Sequence, residues 1–133
     1  LRTVVSGLFN LTYVRNRGAA FGLFNDYESS AVQLLLVGFS LAALGLVVVL
    51  LWRGAASAAA GWGLALIFGG AMGNLLDRIR TGSVVDFLDF YLGSYHWPAF
   101  NVADSSIVIG AGLLLLQVVR KRGTALHPEA REA

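Results

Sequence analysis

The chain has 133 residues, 56% of them hydrophobic and only 14% charged, with a net charge of +2 and no cysteine. A soluble domain carries about 25% charged residues, so a water-soluble fold of this length would have to expose long apolar runs. Disulfides, thiolate metal sites and cysteine nucleophiles are excluded; His96 and His127 lie on unrelated segments and offer no metal site; and the scattered basic residues form no nucleic-acid-binding patch.

The chain opens on Leu1, and its single methionine, Met72, lies inside an apolar stretch. It is therefore expected to be part of a longer or processed chain, and nothing at its N-terminus has the build of a cleavable signal peptide. Residues 8–15 have strand-forming composition and 15–18 read as a turn, which predicts a small β element within residues 1–29. From Ser30 to Trp52 there is no charge. At about 1.5 Å per helical residue this run covers the roughly 30 Å hydrocarbon core of a bilayer. A second uncharged run covers 54–76, with a weakly apolar, Ala-rich start that places the span proper at 60–77. A third span, 102–119, is interrupted only by Asp104 near its start. The polar residues after Arg122, with Pro128, read as a disordered tail within 120–133. The expected fold is one all-α polytopic membrane domain over 1–133, with three spans and a small extracytoplasmic β element.

Arg53 in the short link between the first two spans, and Arg120, Lys121 and Arg122 after the last, place those ends in the cytoplasm by the positive-inside rule. Trp52 and Trp62 then mark the inner interface. Residues 1–29 and 78–101 fall outside, although Arg2, Arg15, Arg17, Arg78 and Arg80 on that side leave the charge count itself undecided. Gly69 with Gly73, and Gly18 with Gly22, have the spacing of close helix packing. There is no internal repeat of the kind that builds inverted-repeat transporters.

Four carboxylates, Asp77, Asp86, Asp89 and Asp104, fall at the outer ends of the second and third spans or between them. Ionisable groups at membrane depth mark function by default, because each needs a partner. Asn74 stands one turn before Arg78, and Asn101 three residues before Asp104. Two carboxylates can hydrolyse a peptide if one is ionised, to take a proton from water, and the other protonated, to hydrogen-bond the carbonyl oxygen. Each aspartate also has a structural reading. Asp104 can sit in the first turn of a helix capped by Asn101, where free N–H groups and the helix dipole favour its charge. Asp77 can pair with an arginine one turn away, and Asp89 can be a solvated loop residue. Asp86, among Val84, Val85 and Phe87, needs a further reason to be there. A Ser–Lys dyad fails because the only lysine, Lys121, is at the cytoplasmic end. Ser83, Ser94 and His96 lack a nucleophile elbow. A non-enzymatic transporter or assembly subunit would place carboxylates at the midplane and in a repeat.

The stretches Asn16-Arg17-Gly18-Ala19-Ala20-Phe21, Gly73-Asn74-Leu75-Leu76-Asp77-Arg78, Gly82-Ser83-Val84-Val85-Asp86-Phe87 and Phe100-Asn101-Val102-Ala103-Asp104-Ser105 resemble, in order and spacing, the successive motifs of lipoprotein signal peptidases. The resemblance covers nearly the whole chain. It implies a bacterial cytoplasmic-membrane aspartyl endopeptidase that cuts diacylglyceryl-modified prolipoproteins before the lipidated cysteine, on the outer side. Asp86 and Asp104 are then the catalytic dyad, with Asp86 chosen over Asp89 by the motif. Asn16, Gly18, Asn74, Arg78 and Asn101 match polar or glycine positions that line or support the site. The resemblance further implies an extracytoplasmic β-cradle, a mobile interfacial helix at 19–27, membrane lipids as partners, a monomer, and no cofactor or metal. The family has four spans, and the first, with its Asp-Gln motif, has no counterpart in these residues.

Overall fold

The computed structural model describes residues 1–18, 30–54 and 57–126. Along it run β1 (Arg2–Val5), β2 (Phe9–Asn16), α1 (Ser30–Trp52), α2 (Ala58–Thr81), β3 (Val84–Leu92), β4 (Tyr95–His96) and α3 (Val102–Leu126). The three helices are each long and apolar enough to cross a membrane. In α1 only Leu44 and Val47 are buried by protein. A helix that is apolar all round and yet exposed has lipid as its solvent.

Local chemistry sets the helix ends. Ser57 caps α2 by accepting the Ala60 N–H at 3.1 Å. At the other end Gly82, with φ of 70°, takes the left-handed cap conformation and returns its N–H to the Arg78 carbonyl. Both α2 and α3 outrun the apolar spans expected for them. Part of the tail expected to be disordered after Arg122 is the last stretch of α3, since a helix that leaves the bilayer continues until its own hydrogen bonds fail; residues 127–133 lie outside the described residues.

The helix pair α2–α3 forms the main packing interface, and glycine makes it close. A Cβ at Gly70 would stand 2.4 Å from the Ala103 carbonyl oxygen, and one at Gly110 2.5 Å from that of Gly63. Gly69, expected to join Gly73 in this contact, faces open space instead, and Gly73 makes only ordinary contact with Ala103. The interface needs a face that repeats with the helix, and Gly63 and Gly70 share one that Gly69 misses by a rotation of about 100°. The Gly18–Gly22 pair, like the expected interfacial helix at 19–27, extends outside the described residues.

The four strands form one antiparallel sheet in the order β1-β2-β3-β4. The strand expected at 8–15 runs to Asn16, so Arg15 and Asn16 are strand residues rather than a turn. The sheet also takes in residues 84–96, which composition alone leaves as a loop. Between β2 and β3 the register slips: Leu11 opposes Leu88 while Val14 opposes Asp86. Thr12 and Tyr13 thus face one residue, Phe87, as in a β-bulge. Side chains alternate between faces along a strand, so the extra residue puts Asn10 and Asn16 on opposite faces.

Candidate active site

Asp86 enters from β3 and Asp104 from the first turn of α3, and both are buried, at 2% and 8% exposure. Three asparagines hold them. Asn16 Nδ2 donates to Asp86 Oδ2 at 2.8 Å, Asn101 Nδ2 donates to Asp86 Oδ1 at 2.9 Å, and Asn74 Nδ2 donates to Asp104 Oδ1 at 2.8 Å. The Asn101 backbone N–H donates to Asp104 Oδ2 at 3.2 Å, and the Asp104 N–H returns a bond to Asn101 Oδ1 at 3.0 Å. Asn101 therefore touches both carboxyl groups, and every carboxylate oxygen of the pair has a donor.

The asparagine amides are themselves oriented. Asn16 Oδ1 accepts the Gly18 N–H at 2.9 Å, and Asn74 Oδ1 accepts from Asn101 Nδ2 at 3.3 Å. Arg78, in the last turn of α2, donates to the Gly18 carbonyl at 2.8 Å and to the Asn74 carbonyl at 3.3 Å. It joins Gly18, two residues beyond the strand carrying Asn16, to the helix carrying Asn74. All seven expected site residues, Asn16, Gly18, Asn74, Arg78, Asp86, Asn101 and Asp104, thus meet in one connected network.

Asp104 does sit in the first turn of a helix capped by Asn101, and the residue that caps α3 also bridges the two carboxyls. The donors absent from Asp86's sequence vicinity come from β2 and from the cap of α3. Burial pushes the Asp86 carboxyl above its ordinary value; donation by Asn16 and Asn101 opposes the rise, and the Asp104 charge adds to it.

The other two carboxylates separate from the pair. Asp77 is exposed and forms no ion pair among the described residues, although Arg80 lies one turn further along α2. Asp89 is not a solvated loop residue. It is buried in β3 on the face opposite Asp86, where Asn10 Nδ2 donates at 2.9 Å and His96 Nδ1 lies 2.8 Å away. These bonds hold its carboxyl below the ordinary value. Asn10 and Arg15 carried no signal beyond strand-compatible positions. Arg15 fastens the α2–β3 junction through Ser83 Oγ at 3.0 Å and the Thr81 carbonyl at 3.0 Å.

Among the described residues, two cavities reach Asp104. One, of about 190 Å³, is lined by Trp97, Phe100, Ser105 and Val108; the other, of about 270 Å³, lies among the three helices against Phe39, Ala43, Ile107, Asn74 and Arg78. Among the described residues no cluster of side chains could hold a metal ion. Both cavities border Asp104 and neither is lined by Asp86, and two buried carboxyls joined by one amide suit acid–base chemistry.

A family model described as Signal peptidase (SPase) II matches residues 1–120. The chain belongs to the signal peptidase II family. It is 50% identical over 123 residues to the lipoprotein signal peptidase of Geobacter sulfurreducens, covering 89% of this chain and 73% of that one. With the lipoprotein signal peptidase of Solibacter usitatus it shares 45% over 125 residues, 93% of this chain and 76% of the relative. A bacterial membrane enzyme solved by the in meso method at 2.3 Å resolution superposes with a TM-score of 0.81 at 30% identity, over 99% of this chain and 76% of that chain. A second, at 1.9 Å resolution, gives 0.74 at 33% identity, over 87% and 72%. As a member of the signal peptidase II family with three apolar helices, the protein is a multi-pass membrane protein of peptidase type.

Proposed function

We propose that this protein is an aspartyl endopeptidase that removes signal peptides from diacylglyceryl-modified prolipoproteins, cutting before the lipidated cysteine at the outer face of the bacterial cytoplasmic membrane. The observation that carries the reading is the buried Asp86–Asn101–Asp104 arrangement. Membership of the signal peptidase II family and the names of the relatives support the substrate class.

In this reading Asp86 keeps the shared proton at rest, because burial favours its neutral form. Asp104 takes a proton from water, and the hydroxide equivalent attacks the scissile carbonyl. Asp86 gives its proton to the developing oxyanion. Collapse of the tetrahedral intermediate breaks the C–N bond as the proton on Asp104 passes to the leaving nitrogen, and Asp86 recovers its proton from the intermediate's hydroxyl. Asn16, Asn74 and Asn101 keep the two carboxyls aligned throughout. The pair titrates as a unit. The protein acts as a monomer among membrane lipids.

Incubation of the membrane-inserted protein with a lipidated prolipoprotein peptide tests the reading. Cleavage before the modified cysteine is expected, and Asp86→Asn and Asp104→Asn should each lower kcat by at least about 10²–10⁴, the usual contribution of a general acid or base. Cleavage unimpaired in either variant would refute the dyad. Binding of a substrate analogue should survive Asp86→Asn better than Asp104→Asn, since the first mimics the protonated partner.

A further inference from the structure

Asp89, Asn10 and His96 form a second polar cluster that the chemistry above does not use. Asp89 accepts from Asn10, and the His96 ring, 51% exposed, stacks on Tyr91 at 4.9 Å with planes 10° apart. Tyr91 in turn accepts the Gly7 N–H on its hydroxyl at 2.9 Å. These contacts tie the two-residue strand β4 down across β3 and β2. Two residues are too few to hold a strand by ladder bonds alone.

Trp97 follows His96 directly. Its backbone N–H donates to the Phe90 carbonyl at 2.8 Å, and its side chain lines the 190 Å³ cavity beside Asp104, together with Phe100. Phe100 continues a row of stacked rings through Phe90 to Phe9, at 5.9 and 4.8 Å. The chain thus turns one residue, His96, onto the buried Asp89 carboxylate and the next onto the cavity wall. The cavity is lined chiefly by apolar groups, is bounded by Asp104, and has room for an aliphatic group.

We propose that Trp97 is a specificity-determining residue that packs on an aliphatic group of the substrate next to the scissile bond, and that His96 and Asp89 are positioning residues that set it there. The proposal rests on the peptidase reading and names a contact for that site. The aliphatic group has two possible sources, a side chain of the peptide or the first carbons of its acyl chain.

Steady-state cleavage of lipidated peptides by the membrane-inserted protein tests it. Trp97→Ala and His96→Ala should raise KM about tenfold with kcat changed by less than about threefold, the mark of lost binding that ground and transition states share. His96→Gln, which keeps a donor for Asp89, should recover KM to within about threefold of the parent. Trp97→Leu, which keeps an apolar wall, controls for failure to fold and should lie between. A peptide with alanine for its aliphatic residue beside the cut should erase the Trp97→Ala effect if the side chain is the occupant; a shortened acyl chain should erase it if the lipid is. An inactive parent protein would sink the peptidase reading and this proposal with it. An active parent whose Trp97 variants keep the parental KM, or lose kcat alone, would overturn the proposal and leave the dyad standing.

Discussion

Asn101 and Asp104 cap one another: the Asn101 N–H bonds the Asp104 carboxylate at 3.2 Å while the Asp104 N–H bonds the Asn101 side-chain oxygen at 3.0 Å. This is the reciprocal arrangement of a capping box, with aspartate in the place usual for glutamate. The Asn101 side chain uses only its oxygen in the cap, and its amide nitrogen donates to Asp86 and to Asn74. The start of α3 and the placing of the two carboxyls are therefore one set of bonds.

Substitutions at Asn101 should separate the two roles. Asn101→Ala loses the cap and should cost about 1 kcal/mol of stability, together with most activity. Asn101→Ser keeps a capping oxygen but cannot reach Asp86, so its stability should stay within about 0.5 kcal/mol while kcat falls at least about tenfold. Thermal unfolding and cleavage assays on both variants check this.

Asp86 and Asp89, three residues apart on β3, should respond to pH with opposite sign. The folded Asp86 carboxyl is raised, so the native state binds more protons than the unfolded one above the ordinary value of 3.8. Its contribution to stability therefore declines as pH rises through that value towards the folded one. The folded Asp89 carboxyl is lowered from 3.8, so its contribution is complete above that value and disappears as pH falls through the folded one. Unfolding midpoints across pH should show Asp86→Asn removing the loss on the alkaline side and Asp89→Asn removing the loss in acid.

Gly70→Ala should be more harmful than its size implies. Its Cβ would press within 2.4 Å of the Ala103 carbonyl oxygen, a backbone atom that cannot rotate away. Overpacking of this kind costs about 1–3 kcal/mol, and the helix it displaces carries Asp104 on the next residue. Gly69→Ala, facing open space, should be neutral in both unfolding and cleavage.

The orientation can be read with a single introduced thiol, because the chain has no cysteine. Ser57→Cys, at the N-cap of α2, should be protected from an impermeant reagent added outside, and Ser94→Cys, in the β3–β4 turn, should react. Labelling at position 57 alone would invert the arrangement.

The helical part of the fold was legible because a bilayer demands long uncharged runs, and Ser30–Trp52 can hardly be anything else. The sheet was half legible. Phe9–Asn16 has strand chemistry, but nothing in Val84–Leu92 says that it returns to pair with a segment 70 residues earlier, as Asn16 and Asp86 do. The polar residues of the site stood out because Asn74, Asn101 and Asp104 fall at helical spacings near helix ends. Asn10 and Arg15 did not, and nothing joined His96 to Asp89, since their partners are set by register across the sheet. Composition could not separate Asp86 from Asp89 either, because both sit in similar apolar surroundings and only alternation along the strand sends them to different faces.

The bulge at Thr12 and Tyr13 makes this sheet sensitive to parity. One residue fewer between Asn10 and Asn16 would turn Asn16 away from Asp86 if Asn10 stayed on Asp89, and would strand Asp89 if Asn16 kept its place. Thr12 and Tyr13 are not among the hydrogen-bond partners that hold either carboxylate, and Tyr13 is exposed, so chemistry places little demand on what they are. The demand falls on how many they are: side chains can be exchanged there, whereas a single-residue insertion or deletion exchanges the two faces of everything downstream in β2.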